Sequence, residues 1–305
     1  MRVCVVGCGA VGSLFAANLA QLEDVEVWAY DLDQAHVDAI NANGLHLSGE
    51  GEVVGRVRAT SVADELPPCE FGIVATKSMH TDSAISATAG AFADGAVCSV
   101  QNGLGNEEVL AQYVRRVIRG TTFPAGRLLE PGHVQWDVRG ETTIGPFEPS
   151  PADDAEVQRL ADACTRGGMP TAAVADARGP QWRKVIFNAA TNPVGALTGL
   201  THGRVCEDPG LRRLVSGLVD EGKAVAAAEG ITLDADPEEL IDHAAKPEVA
   251  YDHKASMLQD VEARRATEID YLNGGIVRFG NERDVPTPLN AAILALVRGL
   301  ERSWQ

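Results

Sequence analysis

The chain reads as an α/β protein: a doubly wound parallel sheet over residues 1–177, followed by an all-helical second domain over 178–305. Three observations predict this. Short aliphatic runs alternate with helical stretches through the first half. The first of those runs leads straight into Gly7-x-Gly9-x-x-Gly12. From Gly179-Pro180 onward the strand pattern stops and helical periodicity takes over.

Arg2 to Val6, apolar from Val3 onward, fits the continuous aliphatic stretch that a buried parallel strand requires. After it, Gly7 permits a tight turn, Gly9 lets backbone approach a pyrophosphate, and Gly12 lets the next helix pack close to the strand. That helix (Val11, Leu14, Phe15, Asn18, Leu19) presents free N–H groups and a positive dipole end. Gly7, Cys8, Gly9, Ala10, Val11 and Gly12 are therefore predicted to line a Rossmann-type dinucleotide site. A second strand, Val25 to Ala29, is followed by Asp31. A carboxylate there can accept from both adenosine ribose hydroxyls and would repel a 2′-phosphate. Residues 31–36 contain no Arg or Lys, so NAD is predicted over NADP. The plainer alternative is that Asp31 caps the following helix.

Strands are next expected at Phe71–Ala75, ending at Lys77, and at Ala96–Val100, ending at Gln101-Asn102-Gly103. Ligands of open α/β sheets lie beyond the carboxyl ends of strands, which singles out Lys77 and Asn102. Val117 to Thr122 reads as another strand. His133–Trp136 and Glu141–Ile144 read as a hairpin on the sheet edge, turning near Arg139-Gly140. A breaker-rich link, Pro146 to Pro151, precedes an amphipathic helix. In the second domain helices are predicted at Pro180–Ala190, Gly210–Glu229, Pro237–Ala245, Val249–Ala263, Thr267–Arg278 and Leu289–Arg302.

At 305 residues two domains are the default. A formal net charge of −17 argues against nucleic acid and anionic membranes as partners, and requires local positive charge wherever an anionic substrate binds. No run is long and apolar enough to span a bilayer, and no secretory signal precedes the glycine motif, so a cytoplasmic location is expected. The six cysteines are scattered without a Cys-x-x-Cys pair, and the seven histidines show no metal-ligand spacing. Neither a disulfide framework nor a metal is expected.

Chemistry concentrates in two later stretches. In Trp182-Arg183-Lys184-Val185-Ile186-Phe187-Asn188-Ala189-Ala190-Thr191-Asn192-Pro193, the polar residues Lys184, Asn188 and Asn192 recur at i, i+4 and i+8. A helix puts them on one face among apolar neighbours, a costly arrangement unless something polar meets them. A substrate carboxylate, hydroxyl or carbonyl would do so; an ordinary exposed lysine face is the alternative. Pro193 should bend or end that helix. The second stretch runs from Lys254-Ala255-Ser256-Met257-Leu258-Gln259-Asp260 to Ala266-Thr267-Glu268-Ile269-Asp270-Tyr271-Leu272-Asn273-Gly274. Thr267 with Asp270 suggests a capping box that would place Glu268 in a first helical turn, where it could be no more than a helix-start acid.

Taken in this order, the glycine fingerprint, Asn-Gly after a central strand, Trp-x-Lys with its spaced asparagines and Asn-Pro, and Ser-Met-Leu-Gln-Asp with Glu-Ile-Asp resemble the ketopantoate reductase (2-dehydropantoate 2-reductase) family over nearly the whole chain. The resemblance implies a dinucleotide-binding domain, a helical domain and a substrate cleft between them. It makes Lys184 the general acid that protonates the ketone oxygen, with Asn102 beside nicotinamide, lysine and substrate. Glu268 would contact substrate or cofactor ribose and orient Lys184. Asn188, Asn192 and Ser256 would hold the substrate, while Lys77 and Gly126 fall on the cofactor side. A homodimer is expected on the same ground. The chain departs from the family pattern at Asp31, where NADP-using members commonly carry Arg, and at His202-Gly203, where many have Asn-Gly.

The reading is thus an NAD(H)-dependent reductase of a branched 2-oxo acid, ketopantoate or a close analogue. The alternative is an NAD-dependent 2-hydroxy-acid dehydrogenase on the same scaffold, similar to D-mandelate dehydrogenases. A non-catalytic dinucleotide sensor would need the glycine loop but not Lys184, Asn188, Asn192 and Glu268 together.

Overall fold

The first strand, β1 (Arg2–Val6), shows how the core is laid down. Val3 and Val5 point into one buried cluster, Cys4 and Val6 into another, so both faces of the strand are covered. The computed structural model describes residues 1–304. Two compact units emerge: 1–101 with 106–177, and 102–105 with 178–305. The short segment Asn102–Gly105 thus groups with the carboxyl-terminal helices.

In the first unit β1 is followed by α1 (Ala10–Leu19), β2 (Glu26–Tyr30), α2 (Gln34–Asn43), β3 (Leu45–Gly49), β4 (Val53–Gly55), β5 (Arg58–Thr60) and β6 (Phe71–Val74). Then come α3 (Thr81–Thr88), β7 (Ala96–Ser99), α4 (Asn106–Leu110), β8 (Val117–Thr122), β9 (Ala125–Glu130), β10 (His133–Val138), β11 (Thr142–Pro146), α5 (Asp154–Arg166) and β12 (Thr171–Ala173). Eight strands form one sheet in the order β12-β11-β8-β7-β6-β1-β2-β5, parallel throughout except where β11 runs against β8. The chain leaves β1 on the β2 side and returns on the β6 side, a topological switch point at the carboxyl ends of β1 and β6.

The expected edge hairpin does not form. β11 does join the main sheet, but β10 pairs with β9 and β3 in a separate sheet of order β4-β3-β10-β9. Burial explains the separation: Val134 and Trp136 of β10, with Leu45 and Leu47 of β3, pack in the same cluster as Leu14 and Phe15 of α1. The small sheet therefore covers the helix that follows the glycine loop.

The second unit is helical: α6 (Arg178–Thr198), α7 (His202–Glu207), α8 (Pro209–Ala228), α9 (Pro237–Ala244), α10 (Ser256–Glu262), α11 (Asn273–Glu282) and α12 (Pro288–Arg302). Trp182, Val185, Ile186, Ala189 and Ala190 of α6 meet Val215, Leu218 and Val219 of α8 and Ile276 of α11 in its core. Helix α10 is shorter than the sequence suggests because the carbonyls of Tyr251 and His253 accept from Gly203 N–H and His202 N–H. They are diverted from helical bonding. Helix α11 starts at Asn273 rather than Thr267. Upstream, Thr267 N–H donates to Glu301 at 2.8 Å and the Tyr271 carbonyl accepts from Leu104 N–H at 2.9 Å. Glu268 therefore sits in a tight turn, not in a helical first turn.

Pro193 neither ends α6 nor leaves a loose end. The Ala189 carbonyl, which an N–H at position 193 would have met, accepts from buried Asn273 Nδ2 at 2.9 Å. No helix among the described residues is long and apolar enough to cross a membrane. No group of three or more potential metal ligands occurs among them either.

Candidate active site

The glycine loop assigns each glycine a separate reason. Gly7 has φ +85°, and a Cβ there would lie 2.5 Å from Thr76 Cγ2 and 2.7 Å from Thr76 N–H nitrogen. A Cβ on Gly12 would overlap the Gly7 carbonyl oxygen. Both must be glycine for the fold to close. Gly9 is different: a Cβ there would meet nothing within 4 Å. Nothing in the protein demands glycine at that point, and Gly9 is the N-cap of α1 with no side chain to offer its first-turn N–H groups. A cradle closed behind and open in front fits the diphosphate of a dinucleotide.

Asp31 supports the loop from β2. One carboxylate oxygen accepts from Cys8 N–H at 2.8 Å, the other from Asp33 N–H at 2.9 Å. The cap of α2 is Asp33, which accepts from Ala35 and His36 N–H, so Asp31 is not the helix cap. Each oxygen of Asp31 retains lone-pair capacity for a further donor. Cys8 itself is buried, and burial pushes its thiol up to about 12. Its carbonyl accepts from Ser13 Oγ at 2.8 Å and lies 2.8 Å from His36 Nε2. Behind the ends of β6 and β7, Gln101 Nε2 donates to the Thr76 carbonyl, Thr76 Oγ1 and Thr81 Oγ1 at 2.8–3.0 Å. Lys77 follows directly, ahead of a short 3₁₀ turn at Ser78–His80. Gly126 lies on β9, where a Cβ would press on the Gln135 carbonyl oxygen at 2.5 Å. It is part of the small sheet that covers α1.

In the helical unit three predicted residues meet. Lys184 Nζ, on α6, donates to Asn102 Oδ1 at 2.8 Å, and Asn102 Nδ2 donates to Glu268 Oε2 at 3.2 Å. The amide thus turns its acceptor to the ammonium and its donor to the carboxylate, the only orientation both partners allow. Glu268 is only 5% exposed. Burial pulls the Lys184 ammonium from the ordinary lysine range down to about 8, opposed by the Glu268 carboxylate. Lys184 is therefore not an ordinary surface lysine.

Asn188 and Asn192, 8% and 7% exposed, follow on the same helix face. Asn192 accepts from Thr191 Oγ1 at 3.4 Å, while the amide of Asn188 has no hydrogen-bond partner among the described residues. Ser256 stands exposed at the start of α10, which packs on α6 and places buried Met257 in the same core cluster. No hydrogen bond among the described residues joins it to either asparagine. His202 lies against the Phe187 ring, with centroids 5.5 Å apart, and its Nε2 donates to the Ile241 carbonyl at 3.1 Å. A Cβ at Gly203 would enter the Tyr251 ring as it is placed.

Sequence reasoning missed Ser13, His36, Gln101 and Asn273. Each acts by bonding a backbone or side-chain partner that the fold brings near, and no local pattern announces such a pair.

Residues 3–149 match the family profile described as ketopantoate reductase PanE/ApbA, and residues 176–301 match its C-terminal counterpart. The 2-dehydropantoate 2-reductase of Archaeoglobus fulgidus is 34% identical over 300 residues, 98% of each chain. The chain belongs to the ketopantoate reductase family. It is an oxidoreductase of that family. The 2-dehydropantoate 2-reductase of Halobacterium salinarum is also 34% identical, over 99% of each chain. Among solved structures, a PanE/ApbA family ketopantoate reductase from Ralstonia eutropha JMP134 aligns with TM-score 0.89 at 32% identity, covering 99% of both chains. A ternary structure of D-mandelate dehydrogenase with NADH and anilino(oxo)acetate aligns with TM-score 0.90 at 27% identity, again over 99% of both. The family's architecture, a Rossmann-like sheet domain and a helical carboxyl-terminal domain, is the one described above.

Proposed function

We propose that the enzyme reduces a 2-oxo acid, ketopantoate or a close branched analogue, with NADH, and that Lys184 is the general acid. The observation that carries this reading is the desolvated Lys184 ammonium held by Asn102, with Glu268 behind the amide. A reduced nicotinamide supplies the hydride. The residues that would hold its dinucleotide are the Gly7–Gly12 loop, with Asp31 toward the ribose and Lys77 after the next strand.

Reduction of a ketone builds negative charge on its oxygen. Lys184 answers that charge twice: as a fixed ammonium that stabilises it and as the donor of the proton that ends it. An acid poised at about 8 gives its proton more readily than an ordinary lysine, yet is still charged at neutral pH. Asn102 keeps the ammonium in place through its carbonyl, and Glu268 keeps Asn102 in place. The amide of Asn188, with no hydrogen-bond partner among the described residues, suits the substrate carboxylate or hydroxyl, with Asn192 and Ser256 beside the same helix face. We read the enzyme as acting on a small anionic substrate in the cytoplasm.

Asp31 favours NADH over NADPH, because a second carboxylate-facing anion would be repelled there and residues 31–36 offer no cation. The similarity to an NADH-bound D-mandelate dehydrogenase supports a second reading, a 2-hydroxy-acid dehydrogenase of another side chain. Initial rates of NADH and NADPH oxidation across a panel of branched, straight and aryl 2-oxo acids separate the two. Highest kcat/KM for a branched 2-oxo acid with NADH is expected. Preference for an aryl acid would select the second reading, and no turnover of any 2-oxo acid would overturn both.

A further inference from the structure

We propose that His36 is a positioning residue for the cofactor's phosphates, acting through the Cys8 carbonyl; this rests on the reading of the glycine loop as the dinucleotide site. His36 is 2% exposed, on the first turn of α2, and uses both ring nitrogens against backbone. Gly132 N–H, in the turn between β9 and β10, donates to Nδ1 at 2.9 Å. A backbone N–H can only donate, so the ring proton sits on Nε2 and points at the Cys8 carbonyl 2.8 Å away. Ser13 Oγ donates to that same carbonyl at 2.8 Å. Two donors therefore fix the direction of one C=O.

In a trans peptide the carbonyl of Cys8 and the N–H of Gly9 point opposite ways. Holding the carbonyl toward Ser13 and His36 turns the Gly9 N–H away from them. A Cβ on Gly9 would meet nothing within 4 Å, so the backbone there is open to a ligand. That is where a phosphate oxygen would need a donor. The preceding peptide, Gly7–Cys8, is held as well, since Cys8 N–H donates to Asp31. The loop is thus set before ligand arrives, and His36 ties its geometry to the small sheet through Gly132. Pre-setting a donor spares the ligand the cost of ordering it.

Two substitutions split the two bonds of the ring. His36→Gln places an amide nitrogen near the Nε2 position and keeps the bond to Cys8 while losing Gly132. His36→Asn places an amide oxygen near Nδ1 and keeps Gly132 while losing Cys8. Binding of NADH, ADP-ribose and adenosine to the full-length protein is compared by titration. The expected result is NADH and ADP-ribose weakened about tenfold in His36→Asn, near wild type in His36→Gln, and adenosine unchanged in both. A general loss of structure would weaken adenosine equally and would not distinguish Gln from Asn. Equal weakening of all three ligands, or unchanged ADP-ribose binding in His36→Asn, overturns the proposal. Should the His36 variants fail to fold, Ser13→Ala, which removes the other donor to the same carbonyl, decides it. ADP-ribose must weaken there while adenosine does not, and unchanged ADP-ribose binding overturns the proposal. Wild-type protein that binds neither NADH nor ADP-ribose would instead overturn the cofactor reading, and this inference with it.

Discussion

Lys184 carries a charge that its surroundings oppose, and that opposition has a measurable consequence. Burial favours the neutral amine and Glu268 favours the ammonium, with burial prevailing so that the group titrates near 8. In the role of general acid proposed for it, Lys184 works in its protonated form. Reduction should therefore be level below about 8 and fall as pH rises through it. Glu268→Gln removes the influence that raises the pKa, so its falling limb should move to lower pH. The pH–kcat profiles of the two proteins check this; a limb at the same pH in both would assign it to another group. At this scale the sequence was informative about residue identity and silent about pairing. The i, i+4, i+8 recurrence of Lys184, Asn188 and Asn192 announces one helix face. Nothing in the local pattern announces that Asn102, 82 positions away from Lys184, receives its ammonium. Only the family resemblance brought those two residues together.

The elements divide between those whose neighbours are dictated locally and those that are not. β1, a run of small apolar residues bounded by Gly7, and β8 fall where their composition puts them. The supposed β10–β11 hairpin fails because alternation marks a strand but not its partner, and β10 is drawn to the small sheet on α1. The glycine loop yields a paired test. Gly12→Ala, whose Cβ would overlap the Gly7 carbonyl, should lower the melting temperature sharply. Gly9→Ala, whose Cβ meets nothing, should melt like wild type but bind NADH at least tenfold more weakly. Thermal scans with NADH titrations check both. Helix α6 supplies a second test. Asn273→Ala strips the Ala189 carbonyl of its donor and should cost roughly 1–3 kcal/mol in urea unfolding. In a Pro193→Ala background, where a backbone N–H returns, the same change should cost less, and the difference is read by a double-mutant cycle. Equal costs in both backgrounds would dissociate the proline from Asn273.

For the molecule as a whole, the division into a sheet unit and a helical unit follows from periodicity changing near residue 178. The assignment of Asn102–Gly105 to the helical unit does not. That segment is tied there by Leu104 N–H bonding Tyr271 and by Asn102 bonding Lys184, long-range contacts that composition cannot express. A net charge of −17 opposes the anionic substrate proposed for the enzyme, which would make a local cation such as Lys184 the more necessary. The preference for NADH proposed above rests on Asp31. Asp31→Ala should raise KM for NADH about tenfold and narrow the gap to NADPH, both through the lost ribose contact and through release of Cys8 N–H. Steady-state kinetics with the two cofactors check it, and equal use of NADPH by the unmutated enzyme would contradict the role given to Asp31. The most direct trial of the central claim is the comparison of wild type with Lys184→Ala at neutral pH, measuring 2-oxo acid reduction and NADH affinity on the same preparations. The account predicts a fall in kcat of about 10²–10⁴-fold with NADH binding retained. Turnover at the wild-type rate would contradict it.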